Sequence, residues 1–240
     1  MLWIVLLLAG IGAGTLGGIV GFGSSLIMLP LLVWAFGPKE AVPIMIVAAL
    51  LANASRVAVW WREVDWRATV VYTAPALPAA ALGARTLVAL DPRLVEIALG
   101  GFFLAMVPLR RWLQTRGWRI SLGQLALAGA GIGYLSGIVA STGPINTPFF
   151  LAYGLTKGAF IATEALGSLA VQLTKVGVLR SLGALPLDAL GRGLTVGLAL
   201  MAGSVVAKSF VQRVRPEQFA GIMDATMIVV GLALVSGSLG

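Results

Sequence analysis

Apolar residues dominate the chain in long runs that short polar groups and glycines interrupt. The first run extends from Met1 to the first charged residue, Lys39, and similar runs recur along the whole sequence. A run of about 20 apolar residues is the length that a helix needs to cross a membrane. No polar stretch is long enough for a separate soluble domain. The pattern therefore predicts an all-α polytopic membrane protein.

One stretch interrupts the first apolar run in an unusual way. Residues 18–32 read GIVGFGSSLIMLPLL, where a plain membrane anchor would use Leu and Ile throughout. Lipid offers no water to unpaired backbone groups, so a broken helix survives only inside protein or beside a wet cavity. The elements that we expect are a helix at 2–20, a break at 21–25, a short helix at 26–36, and spans near 40–60, 68–89 and 94–113.

The second half of the chain repeats the first. Residues 9–20 read AGIGAGTLGGIV and residues 128–139 read AGAGIGYLSGIV, with eight identical positions at a spacing of 119 residues. The segment NASR at 53–56 returns as QLTK at 172–175 with the same spacing. This register predicts a duplication. The two membrane repeats that it predicts, within one integral membrane domain, are 1–115 and 116–240.

The second repeat has the same plan as the first, and the two breaks decide how the repeats are oriented. If each break reverses the chain, the repeats are inverted and the basic residues divide ten against five between the two sides, which satisfies the positive-inside bias. If each break is a kink in one span, the repeats are parallel and the division is seven against eight. We favour inverted repeats, with parallel repeats as the alternative. The elements expected in repeat two are a helix at 121–139, a break at 140–147, a short segment at 148–156, and spans near 159–180, 188–211 and 217–239.

Composition agrees with a membrane protein and excludes several kinds of chemistry. Charged residues make up 11% of the chain, whereas soluble proteins average about 25%. The net charge of +8 comes from basic residues scattered between apolar runs, which suits anionic lipid headgroups and argues against a nucleic-acid partner. The chain has no Cys and no His, so we expect no disulfide, no metal and no cofactor.

Both breaks carry groups that could bind an anion. Gly21 and Gly23 allow a tight reversal and the close approach of a ligand, and Ser24 and Ser25 sit where a side chain would cap the following short helix. Both short helices would point their positive N-terminal ends at the interior. Broken helices at matching places in two repeats indicate a transport site, although membrane glycines often serve only close packing. The candidate binding residues of the second break are Ser141, Thr142, Gly143, Asn146 and Thr147.

A cation and an amide share one helix face in each repeat. Asn53 and Arg56 are three residues apart, and Gln172 and Lys175 repeat this spacing. A cation inside a membrane span is costly and usually faces a cavity or a partner. We therefore expect these four residues to attract an anionic substrate, with snorkelling of the two cations to the membrane interface as the alternative.

Glu164 is the candidate proton-coupling carboxylate. It lies inside a predicted span, and Ser168 and the Gln172 amide continue its helix face. The alternative is a structural salt bridge with Lys157 or Lys175.

Several segments together resemble one family of membrane proteins. The duplicated glycine-rich segment that ends in GIV is followed by a Gly/Ser-rich break and PLL. Other matching segments are GYLSGIVASTGPINTPFFLAYGL at 133–155, DWR at 65–67 and LGARTL at 82–87. Nearly the whole chain resembles the TauE/SafE family of sulfite exporters, also called the TSUP family. The resemblance implies a multi-pass permease of the bacterial inner membrane that moves small sulfur oxyanions or sulfonates, and it is compatible with a homodimer.

The residues and the resemblance favour secondary transport over two other functions. We expect a small anion, sulfite or an organosulfonate, to bind between the two broken-helix N-termini near the membrane midplane, with transport coupled to the proton or ion gradient. The expected partners are this anion and the lipid bilayer, and we expect no enzymatic activity. One alternative is an intramembrane enzyme acting on a lipid phosphate. Another is a non-catalytic subunit of a larger membrane complex.

Overall fold

Helices account for all the regular structure in the part of the chain that the structure describes. This computed structural model describes residues 1–87, 119–138, 143–183 and 185–213, with a few single positions elsewhere. The all-α prediction is confirmed for these residues. The helices are α1 Leu2–Val20, α2 Ser24–Phe36, α3 Pro38–Trp60, α4 Trp66–Leu87, α5 Leu122–Ile138, α6 Gly143–Tyr153, α7 Lys157–Ser181 and α8 Leu187–Arg213, with a short 3-10 turn at Trp61–Glu63.

Three of the described helical segments have the length and apolarity that a membrane crossing requires. They are Leu2–Val20, Glu40–Glu63 and Leu187–Arg213. Large apolar side chains such as Leu8 and Leu198 are exposed on the outer faces of these helices, where a membrane protein meets lipid instead of water. The chain is therefore a multi-pass membrane protein.

Glycines bring two pairs of helices close together. Gly14 of α1 lies against α8, where an added Cβ would stand 2.2 Å from the carbonyl oxygen of Leu200. Gly133 of α5 lies against α4 in the same way, because a Cβ added to it would overlap the carbonyl oxygen of Ala76. Apolar burial does not drive helices together in lipid, so association depends on such close packing of small residues. The pairs α1–α8 and α4–α5 are held in this way.

Each short helix folds back along the helix that precedes it. Trp3 near the start of α1 contacts Phe36 at the end of α2, with ring centroids 5.8 Å apart. The N–H of Ile120, just before α5, donates to the carbonyl oxygen of Ala152 near the end of α6 at 3.2 Å. Because the start of each long helix meets the end of the short one, the chain reverses between α1 and α2 and again between α5 and α6.

Contacts between α3 and α8 define the two ends of the bundle. The Nζ atom of Lys208 donates to the carbonyl oxygen of Val59 at 2.9 Å. At the other end, Arg192 forms an ion pair with Glu40. These are called the Lys208 end and the Glu40 end below. The two helices therefore run in the same direction, and Arg62, which follows α3, lies at the Lys208 end.

Two predicted helix boundaries are wrong. Helix α2 begins at Ser24 instead of residue 26, so its two serines lie in its first turn, and no side chain caps it. Helix α6 begins at Gly143 instead of residue 148, so the second half of the break predicted at 140–147 is helical. Pro144 explains the second difference, because a proline in the first helical turn lacks only an N–H that would be unpaired there anyway.

The other predicted helices fall into two groups. The helices expected at 2–20 and 121–139 and the spans expected near 40–60, 68–89, 159–180 and 188–211 correspond to described helices, within a few residues at each boundary. The spans expected near 94–113 and 217–239 lie outside the described residues apart from single positions.

Candidate functional site

A polar cavity lies between the first turn of α2 and the central parts of α3 and α7. The cavity is narrow, and the volume that the centre of a water molecule can occupy within it is about 20 Å³. Polar and ionisable side chains are rare inside membrane helix bundles, and where they gather they mark substrate or ion pathways. The residues that line the cavity are Gly21, Phe22, Ser24, Ser25, Ala49, Asn53, Arg56, Glu164, Ser168 and Gln172.

The turn between α1 and α2 forms one wall of the cavity. Gly21 and Gly23 have φ angles of 84° and 104°, a left-handed conformation that side chains disfavour. The N–H of Gly21 donates to the carbonyl oxygen of Gly17 at 2.9 Å and so closes α1. A Cβ on Gly21 would stand 2.6 Å from the ring of Phe160 in α7. The turn therefore brings the first turn of α2, with its unpaired backbone N–H groups, to the edge of the cavity.

Arg56 supplies the positive charge among the residues that line the cavity. Its side chain is buried, its Nε donates to the carbonyl oxygen of Ala52 at 3.4 Å, and its Nη2 donates to Oδ1 of Asn53. Its Nη1 lies 3.6 Å from Oε2 of Glu164. The spacing that predicts a shared helix face for Asn53 and Arg56 thus corresponds to a hydrogen bond that orients the guanidinium.

Side chains from three helices hold the carboxylate of Glu164. Its Oε1 accepts hydrogen bonds from Oγ of Ser168 at 2.6 Å and from Nδ2 of Asn146 at 3.2 Å. The Oδ1 atom of Asn146 accepts a hydrogen bond from the hydroxyl of Tyr72 at 2.7 Å. All four side chains are buried. The network therefore links the carboxylate on α7 to α4 and to the first turns of α6.

One atom of each charged group in the cavity makes no hydrogen bond within the described part of the chain. These atoms are Nη1 of Arg56 and Oε2 of Glu164, and both are buried. Their separation of 3.6 Å exceeds the roughly 2.7–2.9 Å of a charged N–H···O hydrogen bond. Buried polar atoms without such partners are uncommon, and each calls for an explanation such as a role in binding. Arg56 and Glu164 are both among the residues that line the cavity.

Most of the predicted site residues come together in the structure. Gly23 lies in the turn that forms a wall of the cavity, and Asn146 contacts Glu164. The predicted residues that line the cavity are Gly21, Ser24, Ser25, Asn53, Arg56, Gln172 and the coupling candidate Glu164.

The remaining predicted residues lie apart from the cavity or outside the described residues. Lys175, one turn beyond the cavity on α7, and Thr147 on α6 are buried, and neither is among the lining residues. Gly143 is the first residue of α6. Ser141 and Thr142 lie outside the described residues.

Sequence reasoning missed Tyr72 and the pairing of Glu164 with Arg56. Tyr72 is fully buried in α4, and its ring packs against Phe150 with centroids 4.9 Å apart. A phenol in the middle of an apolar helix is a recognisable signal, because a buried Tyr hydroxyl usually needs a hydrogen-bond partner. The identity of the partner depends on which helices are neighbours, and neither spacing nor composition gives that information.

The groups in the cavity suit an anion and a proton. A guanidinium, two serine hydroxyls and a helix N-terminus are all donors to anions, and a carboxylate accepts a proton. Among the described residues, no cluster of three Asp, Glu, His or Cys side chains could hold a metal ion.

Comparison with known proteins gives one informative match. A family model described as "Sulfite exporter TauE/SafE" matches residues 6–234 of the 240-residue chain. No curated protein matches the chain, and no solved structure matches it.

Proposed function

Because this chain belongs to the sulfite exporter TauE/SafE family, whose members are transporters and not enzymes, we propose that it is a secondary transporter of a small sulfur oxyanion or organosulfonate. The anion binds in the cavity between α2, α3 and α7, near the membrane midplane. The protein works in the bacterial inner membrane. Family membership removes the alternative of an enzyme acting on a lipid phosphate.

The observation that carries the proposal is the position of Arg56. This buried cation faces a cavity whose wall includes the first turn of α2, with Ser24 and Ser25. An anion there would exchange its hydration for the guanidinium, the two hydroxyls and unpaired backbone N–H groups. Asn146, in the second short helix, reaches the same ion pair through Glu164. This convergence is the arrangement expected for a transport site built from two broken helices.

Matching helix contacts in the two halves of the chain support the proposed duplication. Gly14 and Gly133 occupy equivalent positions at the spacing of 119 residues, and they pack against Leu200 and Ala76 of the opposite halves. In a duplicated chain with repeats 1–115 and 116–240, the first helix of each repeat would pack against a helix of the other repeat. Alternating access then follows from rocking of one repeat against the other around the cavity.

The positions of the charged ends support inverted repeats over parallel ones. Parallel repeats would put Arg62 and Lys208 on opposite sides of the membrane. The structure has both at one end, because Lys208 donates to Val59 beside the end of α3. The reversals after α1 and after α5 agree with this orientation. The Lys208 end, which holds more of the basic residues, is then cytoplasmic by the positive-inside rule.

Glu164 is the proposed site of coupling to the proton gradient. It is the acidic residue among those that line the cavity, and it contacts the proposed anion ligand Arg56. Gln172 and Lys175 extend the polar face of α7 towards the Glu40 end. They would attract the anion along its path. A homodimer is compatible with the lipid-facing surfaces of the bundle.

Filling the cavity tests the site. A Ser25→Leu variant places a larger apolar side chain among the lining residues. We expect it to lower sulfite flux in proteoliposomes at least tenfold while the protein still folds, as checked by its thermal unfolding (about 1.4 kcal/mol of lost binding corresponds to tenfold). The matched control is Ser209→Leu, because Ser209 is exposed on α8 and its change leaves the cavity intact.

Equal flux in Ser25→Leu and Ser209→Leu would move the binding site away from this cavity. Flux from the purified chain alone would also exclude a role that is limited to that of a subunit in a larger complex.

A further inference from the structure

We propose that Arg56 serves two anions in turn, the carboxylate of Glu164 in the empty carrier and the transported anion in the loaded carrier. Each time the anion binds, Glu164 takes up one proton on Oε2. This inference rests on the proposed transport function and adds to it a coupling rule: one proton travels with each anion, in the same direction.

Each charged group of the pair uses some of its polar atoms in fixed hydrogen bonds and has one polar atom without such a bond. Nη2 of Arg56 is committed to Asn53, and Nε is committed to the carbonyl oxygen of Ala52. Oε1 of Glu164 is committed to Ser168 and Asn146. Each group therefore keeps its position through one side and has one atom left, and these two atoms face each other.

The contact between those two atoms is longer than a hydrogen bond. Nη1 of Arg56 and Oε2 of Glu164 are 3.6 Å apart, and neither makes a hydrogen bond within the described residues. Nη1 can donate a third hydrogen bond from this guanidinium, and an oxygen of an anion bound in the cavity is a suitable acceptor. An anion can thus satisfy Nη1 without disturbing the bonds of Arg56 to Asn53 and Ala52.

Charge balance requires a proton to bind together with the anion. The empty site holds one positive and one negative group, so a further anion would leave a net negative charge in a membrane interior. Protonation of Glu164 removes that excess. When the proton binds, an O–H bond forms at Oε2, the ion pair ends, and Nη1 donates to the anion. Release of the anion reverses these steps, and the proton leaves Oε2 as the pair re-forms.

Within the part of the chain that the structure describes, Arg56 is the cation in contact with Glu164. The groups of α4 and α6 near Glu164 are neutral. The amide of Asn146 donates to Oε1 of Glu164, and the hydroxyl of Tyr72 donates to that amide. Helix α2 has no ionisable side chain. On its own helix, Lys157 lies about two turns away towards one end, and Lys175 about three turns away towards the other. Loss of the contact with Arg56 would therefore leave the buried carboxylate of Glu164 without a neighbouring positive charge.

Isethionate is a suitable probe, because a sulfonate keeps one negative charge at all pH values of interest. In proteoliposomes with an internal pH indicator, we expect inward isethionate flux through the wild type to acidify the lumen with one proton per anion. Isethionate affinity should fall about tenfold for each unit of rising pH, since one proton binds with each anion. An applied membrane potential should not drive this flux.

A Glu164→Gln variant keeps the shape of the side chain and its hydrogen bonds but cannot take up the proton. We expect it to exchange isethionate for isethionate, with an affinity that does not change with pH and with no proton movement. The matched control, Asp188→Asn, removes an exposed acidic residue at the Glu40 end and should retain proton coupling. The double variant Arg56→Gln/Glu164→Gln, which leaves no unpaired charge, should fold and fail to bind isethionate.

The outcomes separate the two proposals. Wild-type isethionate flux without proton movement, or proton movement that persists in Glu164→Gln, overturns the inference and leaves the transport function standing. A Glu164→Gln variant that folds but cannot exchange isethionate also overturns it. No wild-type flux of isethionate, sulfite, thiosulfate, taurine or sulfoacetate overturns the transport function and the inference with it.

Discussion

Arg56 makes three contacts that only a guanidinium can make together. Nε, Nη2 and Nη1 face Ala52, Asn53 and Glu164 respectively. A lysine ammonium is a point charge on a flexible stem and cannot reproduce this planar arrangement. The orientation of the charge, as well as its presence, therefore shapes the site.

An Arg56→Lys variant tests whether the orientation of the charge at this residue matters for binding. It keeps the positive charge but loses the fixed orientation, so we expect the KM for the transported anion to rise at least tenfold while the protein still folds. Flux against anion concentration in proteoliposomes measures the change. Arg62→Lys, an exposed residue just after the same helix, is the control and should leave KM unchanged. Equal KM values in the two variants would mean that the geometry of Arg56 is unimportant.

Part of this site could be predicted residue by residue. The spacing of Asn53 and Arg56 predicts their shared helix face, and the serines after Gly23 predict a polar helix start. The pairing of Arg56 with Glu164 could not be predicted, because the two residues are 108 positions apart on helices whose contact depends on the tertiary fold. The spacing rules of a helix reach only about one turn in either direction.

At the scale of the element, the turn between α1 and α2 depends on Gly21. Its positive φ and the nearby ring of Phe160 exclude a side chain for two separate reasons. We expect Gly21→Ala to lower the free energy of unfolding by roughly 1–3 kcal/mol and to reduce flux, because the first turn of α2 shifts from the cavity. Thermal unfolding and flux should be measured on the same preparation. A Gly21→Ala protein with normal stability and flux would contradict this account of the turn.

The two close-packed helix pairs give a second prediction, with internal controls. Gly14 and Gly133 have carbonyl oxygens of the neighbouring helix where a Cβ would stand, whereas Gly12 and Gly131 face open space. Gly14→Ala and Gly133→Ala should each destabilise the protein by about 1–3 kcal/mol. Gly12→Ala and Gly131→Ala should be neutral or stabilising, since Ala favours a helix by up to about 1 kcal/mol over Gly. Equal effects at all four positions would show that these contacts do not hold the pairs together.

Helix positions were more predictable than helix starts. Long apolar runs locate α1, α3 and α8 well, because both membrane insertion and helix formation depend on them. Helices α2 and α6 begin earlier than the sequence pattern predicts, since serine and Gly-Pro can open a helix as well as interrupt one. The local sequence does not show whether serine and Gly-Pro open or interrupt a helix. The packing of the short helices determines which of the two occurs.

At the scale of the whole molecule, the arrangement of the ends follows from the two chain reversals. Hydropathy alone predicts spans but leaves open whether a broken segment reverses or continues. The contacts of Trp3 with Phe36 and of Ile120 with Ala152 supply the missing information. Long-range contacts of this kind are what a single sequence cannot provide.

The absence of native cysteine allows the orientation to be tested with single introduced thiols. Gln212→Cys lies near the Lys208 end and Asp188→Cys at the Glu40 end, and both positions are exposed. We expect a membrane-impermeant thiol reagent to label Asp188→Cys in cells with intact inner membranes. Gln212→Cys should react only after permeabilisation, because the Lys208 end is assigned to the cytoplasm. Labelling of both from one side would contradict the proposed topology.

The most direct test of the central claim is the flux of radiolabelled sulfite through the purified protein in proteoliposomes, with and without a pH gradient. Sulfate, thiosulfate, taurine and sulfoacetate serve as competitors. The account predicts saturable flux that the pH gradient alters, that selected sulfur anions compete for, and that falls in the Ser25→Leu variant but not in Ser209→Leu. Absence of saturable flux and of competition by every anion tested would contradict the assignment of the cavity as an anion transport site.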